Sequence, residues 1–319
     1  MFKALILVRN IKSRSETLDF GEFTVERIGF RFTKLREDLS SLDANQDDWI
    51  LEKQYSTLPP GPPGSPVGGI PMDIEDLLLL LRFFRPGDIS FIRQAVIPPS
   101  GSVLVQFPYR AMNDLNSYSF SRFEIESEEC EAWRVFADRL RQSQSWRSNW
   151  FATARRFFLS GGAKEFKPNW DDVDRIADYA TALEATLVPE KDSITRRISR
   201  RAGVLLAQDG LGEMAAIGSF VKRLYEIRSR IVHGSAMGDE TRDWLFDNWD
   251  EMEIRMRQIL VAAVTKLPPD EEDRRKALSG LYDLTDEDRG DFVLEKFREI
   301  KSSDVRKLTA AKIVESVGS

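Results

Sequence analysis

Imidazole and thiol are nearly missing from this chain: its 319 residues hold one histidine, His233, and one cysteine, Cys130. A single cysteine excludes a disulfide framework within the chain and fits a reducing, cytoplasmic setting. One histidine and one cysteine also argue against a zinc site of the usual ligand set. Long apolar runs are missing too. Stretches such as Leu77–Leu81 are far too short to cross a bilayer, so no membrane partner is expected. The opening MFKALILVRNIK is too briefly apolar for a signal peptide or a span and reads as a first β-strand. No glycine-rich phosphate loop follows a strand, so a Rossmann-type nucleotide site has no support, and there is no internal repeat.

What is present is a soluble composition with an uneven charge. Apolar residues make up 42% and charged residues 31%, with a net charge of −6. Residues 134–167 carry eight basic and two acidic side chains, and residues 193–230 carry eight and three. The first 133 residues carry fourteen and twenty. An acidic average therefore does not exclude a polyanionic partner, because binding depends on local positive surface. Ordinary ion pairs on helix surfaces are the alternative for any one of these arginines.

The pattern predicts an α+β chain in three parts: a β-rich domain over 1–125, a helical domain over 126–268 and a charged helical tail over 269–319. In the first part, Phe20–Ile28 and Ser102–Phe107 read as strands, and a strand pair flanks Pro98–Gly101. Pro59–Gly69 can only be an exposed loop, and Asp73 reads as the N-cap of a helix over 74–84. From about residue 128 the period becomes helical. Residues 128–159 form one long helix or a kinked pair. Helices follow over 170–187, 193–208 with Ser193 as its cap, 212–233, and 240–266.

The helix over 212–233 carries the most informative decamer, Tyr225-Glu-Ile-Arg-Ser-Arg-Ile-Val-His233-Gly234. Ile217, Phe220, Leu224, Ile227 and Ile231 share one face, which packs into a core. Tyr225, Arg228, Ser229, Val232 and His233 share another, with Arg228 and His233 about 140° apart around an ideal helix. Two such helices about a two-fold axis would gather both arginines and both histidines around one cleft, which predicts a homodimer. The chemistry suits RNA cleavage. Histidine serves as general base or acid near neutrality, and arginine offers a permanent charge and a fork of donors that matches phosphate oxygens. No cofactor or metal is needed for that reaction, although carboxylates could still hold magnesium. A plainer role also fits: histidine is favoured at a helix C-terminus by the macrodipole, and Gly234 simply ends the helix.

Other residues have paired readings. Tyr225 would orient Arg228, stack on a base or seal a dimer interface, and Ser229 adds polarity beside it. Glu184 would pair with Arg228 or Arg201, or lie in solvent. Arg230, Arg223 and Arg197 would contact RNA phosphates, or only water. The acidic run Asp247–Glu253 reads as a solvated face before it reads as a metal site. Trp146, Trp150, Phe151, Phe157 and Phe158, interleaved with arginines, would stack single-stranded RNA or, more often, form core.

Tyr225-x-x-Arg228-Ser229-x-x-Val232-His233-Gly234 resembles the signature of HEPN domains, in particular the Apea-like HEPN group. Ala182–Leu187 and Arg200–Leu206 resemble the two helices that precede the motif there, so the resemblance covers about residues 130–265. It implies an all-α bundle that dimerises, with Arg228 and His233 forming a composite, metal-independent endoribonuclease centre. It also implies a triggered role in antiviral defence or as a toxin. The residue after the arginine is often Asn, Asp or His in that group and is Ser229 here. Some HEPN proteins have lost catalysis and serve as modules that bind RNA, a nucleotide or a partner protein. By architectural analogy the N-terminal part would be the sensor, met by a phage or partner-protein trigger.

Overall fold

The computed structural model describes residues 1–29, 48–57, 72–87, 89–97, 99–100, 105–108, 122–162, 172–190, 193–234 and 237–283. The predicted loop Pro59–Gly69, residues 102–104 of the predicted strand, and the tail past residue 283 lie outside them. The fold is α+β, and it divides into two units, Met1–Ala137 and Asp138–Ser319. The predicted change of domain stood at residue 125.

The first unit is built on a six-stranded antiparallel sheet. Its strands are β1 (Phe2–Arg9), β3 (Thr17–Asp19), β4 (Thr24–Arg27), β5 (Trp49–Tyr55), β6 (Ser90–Ile97) and β7 (Val105–Pro108), in the order β3-β4-β5-β1-β6-β7. β2 (Ile11–Lys12) pairs in parallel with β8 (Phe123–Glu124). The central strand β1 is buried on both faces from Ala4 to Val8, which is why its sequence is a continuous apolar run rather than an alternation. The stretch read as one strand over Phe20–Ile28 is instead the corner of the β3–β4 hairpin followed by β4. Gly21 takes φ +81° there, and the Phe20 amide donates to the Phe23 carbonyl.

Helix α1 (Met72–Phe84) buries Leu77–Leu81, Phe83 and Phe84. It starts one residue before Asp73. Asp73 therefore lies within the first turn, and its carboxylate accepts from the Tyr55 hydroxyl at 3.1 Å and pairs with Lys53 at 2.8 Å. The division between units falls inside α2 (Cys130–Gln142), because Trp133 in its first turn packs edge-on against Phe20 and Phe23.

The second unit is helical: α3 (Asn149–Gly162), α4 (Asp172–Leu187), α5 (Ile194–Ala207), α6 (Met214–Val232), α7 (Asp239–Asp247), α8 (Trp249–Lys266) and α9 (Glu271–Asp283). Side-chain chemistry decides three local expectations. Over 128–159 it is the pair of helices that forms, because Ser143 and Ser148 bond to nearby backbone and make a 3-10 turn over Gln144–Arg147 between α2 and α3. The span 240–266 is two helices, because Asn248 Nδ2 donates to the Trp244 carbonyl and closes α7 before α8 begins. Ser193 takes a left-handed conformation (φ 51°) and makes no side-chain cap, while its carbonyl accepts the Arg197 amide. Among the described residues, no helix is long and apolar enough to cross a membrane.

Helices α5 and α6, which frame the motif, approach at glycine. A Cβ built on Gly203 would stand 2.6 Å from the Met214 carbonyl oxygen, a backbone atom that cannot swing aside. Helix propensity alone would make Gly203→Ala stabilising by about 1 kcal/mol. The collision reverses the sign, because overpacking costs about 1–3 kcal/mol. Thermal denaturation of Gly203→Ala should therefore show a lower midpoint than wild type, and Gly203→Val a lower one still.

Candidate active site

The site is built on α6 and the facing end of α4. On α6, Ile217, Leu224 and Ile227 are buried as the periodicity predicts, joined by Val221. Phe220 and Ile231 are half-buried, and the Phe220 ring lies 5.3 Å from Trp244 of α7. The second face is graded along its length. Tyr225 is buried, Arg228 and Ser229 are half-buried, and Val232 and His233 are exposed. Gly234 takes φ +71° and its amide donates to the Ile231 carbonyl, so it ends the helix as its sequence position predicts. His233 thus sits at the open end of α6, its amide bonded to the Ser229 carbonyl and its ring in solvent.

Arg228 is held from two sides. Its Nη2 lies 3.3 Å from Glu184 Oε1 on α4, and its guanidinium carbon stands 5.4 Å from the centre of the Tyr225 ring. The Tyr225 hydroxyl donates to the same Glu184 oxygen at 2.5 Å. Burial, then the hydrogen bond and charge of Glu184, push the Tyr225 phenol well above its usual range, so it remains a neutral donor. Arg228 Nε is enclosed with no hydrogen-bond partner among the described residues. The guanidinium is oriented by a carboxylate and a ring, yet 23% of its side chain is open to solvent. Of the two partners weighed for Glu184, the structure selects Arg228.

Arg201, expected to support the site, does not join it. Its side chain is fully buried, donating to the Leu187 carbonyl at 2.5 Å and to both oxygens of Glu190 at 2.8 and 3.0 Å. A guanidinium that deep needs a carboxylate and a carbonyl of its own, and Glu190 supplies the one that Glu184 does not. Arg197, expected to touch RNA, also pairs with Glu190, at 3.3 Å. Arg223 pairs with Glu240 of α7 at 3.5 Å, and Arg230 is exposed.

No family model, curated protein or solved structure matches this chain. The function must be read from these side chains.

The remaining sequence candidates fall to structural roles. Trp146, Trp150, Phe151 and Phe158 are buried, and Trp150 Nε1 donates to the Pro268 carbonyl, so these rings are core. Phe157 is half-buried beneath the Arg156 guanidinium. In the acidic run, Glu253 accepts from Arg175 and Tyr179, and Glu251 pairs with Arg255. No cluster of metal-ligating side chains occurs among the described residues. The sequence reading missed Arg274, a buried cation of α9, because only its place in a charged segment was visible.

Proposed function

We propose that the chain is a metal-independent endoribonuclease that cuts RNA at Arg228 and His233, in a composite site shared by two copies, as a triggered effector of the antiviral-defence or toxin kind. The observation that carries this reading is the pairing, along one helix, of an oriented and partly exposed Arg228 with the chain's single histidine, His233, exposed at the helix end. Five residues of helix separate them by about 7.5 Å along the axis. With about 140° between them around the helix, the two residues bracket one face of it. The HEPN resemblance of Tyr225–Gly234 points the same way.

In this reaction the 2′-hydroxyl gives its proton to an imidazole and its oxygen attacks phosphorus. The bond to the 5′-oxygen breaks, that oxygen takes a proton from an imidazolium, and a 2′,3′-cyclic phosphate remains. The second copy supplies the second imidazole. Arg228 neutralises charge that builds on the equatorial oxygens, and its grip by Glu184 and Tyr225 means that it need not reorganise as that charge develops. Ser229 and Arg230 flank the same surface.

Purified protein incubated with total RNA and transfer RNA is the test, wild type against Arg228→Ala. Loss of a preorganised donor should slow cleavage about 10²–10³-fold. Products should carry cyclic phosphate ends, and EDTA should leave the rate unchanged. Cleavage at full rate in Arg228→Ala overturns the assignment. Tight RNA binding without products, from wild type and variant alike, would point to a binding module in its place.

A further inference from the structure

A helix leaves the carbonyls of its last turn without intrahelical donors. At the end of α4 those carbonyls belong to Glu184, Ala185, Thr186 and Leu187. The Glu184 carbonyl accepts the Val188 amide at 3.0 Å. The next donor in line for Ala185 would be the amide of residue 189, but that residue is proline and has none. Arg274 of α9 fills the gap: its Nη1 donates to Ala185 O at 2.7 Å and to Thr186 O at 2.8 Å. Arg201 takes the Leu187 carbonyl. Two buried guanidiniums from later helices thus close the turn that begins with Glu184.

Arg274 is 3% exposed, and its guanidinium carbon lies 5.1 Å from the centre of the Trp150 ring. Burial depresses it to about 10, which still leaves it charged near neutrality. Charge matters here, because the negative end of the α4 dipole falls on these carbonyls.

We propose that Arg274 is a positioning residue for the cleavage reaction. By standing in for the amide that Pro189 lacks, it fixes the last turn of α4, and so fixes the Glu184 carboxylate that orients Arg228. This rests on the function proposed above, and it makes α9 part of the working unit. Without Arg274 the turn frays, Glu184 wanders, and Arg228 meets the phosphate in a spread of orientations.

Arg274→Met tests this, since it keeps bulk against Trp150 and removes the donors. Hydrogen exchange at the Val188 amide should quicken about tenfold, the worth of one good hydrogen bond. The kcat for RNA cleavage should fall about ten- to a hundredfold with KM little changed, because misorientation weakens the transition state more than binding. Pro189→Ala in the Arg274→Met background restores a backbone donor for Ala185 and should recover both the exchange protection and kcat, which a general loss of packing would not allow. Unchanged Val188 exchange in Arg274→Met overturns the inference on its own. So does a fall in kcat that Pro189→Ala leaves untouched. Arg228→Ala, run alongside, separates the two levels: cleavage indifferent to Arg228 overturns the reaction itself and, with it, any role for Arg274 in it.

Discussion

Glu190→Ala should destabilise the helical unit by about 3–5 kcal/mol, the range for removing one partner of a buried ion pair. Arg201 has no exposed side-chain surface and depends on Glu190 for two of its hydrogen bonds, at 2.8 and 3.0 Å. Without the carboxylate the buried Arg201 charge loses two of its hydrogen bonds and keeps the one to the Leu187 carbonyl, and Arg197 loses its ion pair with Glu190. For a unit of this size the thermal midpoint should drop by roughly 6–20 °C. Burial by itself raises the Glu190 carboxyl, but the hydrogen bond and charge of Arg201, and the charge of Arg197, outweigh it and hold the group below its ordinary value. A carboxyl whose folded value is depressed contributes stability that is complete above the unfolded value, near 4.5, and is lost as pH falls through the folded value. Acid titration of unfolding should therefore show a stability loss below about pH 4.5 in wild type that is smaller in Glu190→Ala. The double change Arg201→Met with Glu190→Leu should recover much of the loss, because an apolar pair of similar volume avoids the desolvation cost. A single variant as stable as wild type would remove Glu190 from its structural role.

His233→Ala should reduce RNA cleavage by about 10²–10⁴-fold, the worth of a positioned acid–base group. It should do so with no change in the unfolding midpoint. The ring lies in solvent at the end of α6, and the bonds that end the helix there are made by the backbone of His233 and Gly234. No second histidine exists to substitute, so residual activity would have to come from binding and from Arg228. If His233→Ala cleaves like wild type while Arg228→Ala does not, proton transfer belongs to another group and the imidazole is only a helix terminator.

The parts of the fold visible in the sequence were those set by local physics. The apolar stripe of α6 marked its buried face. Gly234 marked its end, because glycine enters the left-handed region that closes a helix without the steric cost a Cβ would bring. The apolar opening of the chain marked a first strand, and the structure adds that both faces of Ala4–Val8 are covered. Asn248 was harder, since an asparagine inside a helical period signals a break only when its amide turns back onto the carbonyl four residues earlier. Ser193 looked like a cap by residue type, but its φ carries the hydroxyl out of reach of the helix amides. At the site, Arg228 and His233 were legible from spacing on one helix. The choice between Arg228 and Arg201 as the partner of Glu184 was not, because it depends on which helices meet. Arg274 was invisible for the same reason: its target is a pair of carbonyls about ninety positions earlier in the chain, left open by a proline.

A lone exposed imidazole gives the protein a built-in reporter. Proton NMR of the whole chain should contain a single pair of histidine ring signals, and these need no assignment. Their movement on adding a short oligonucleotide would register events at the end of α6 directly, in unmodified protein and before any product forms.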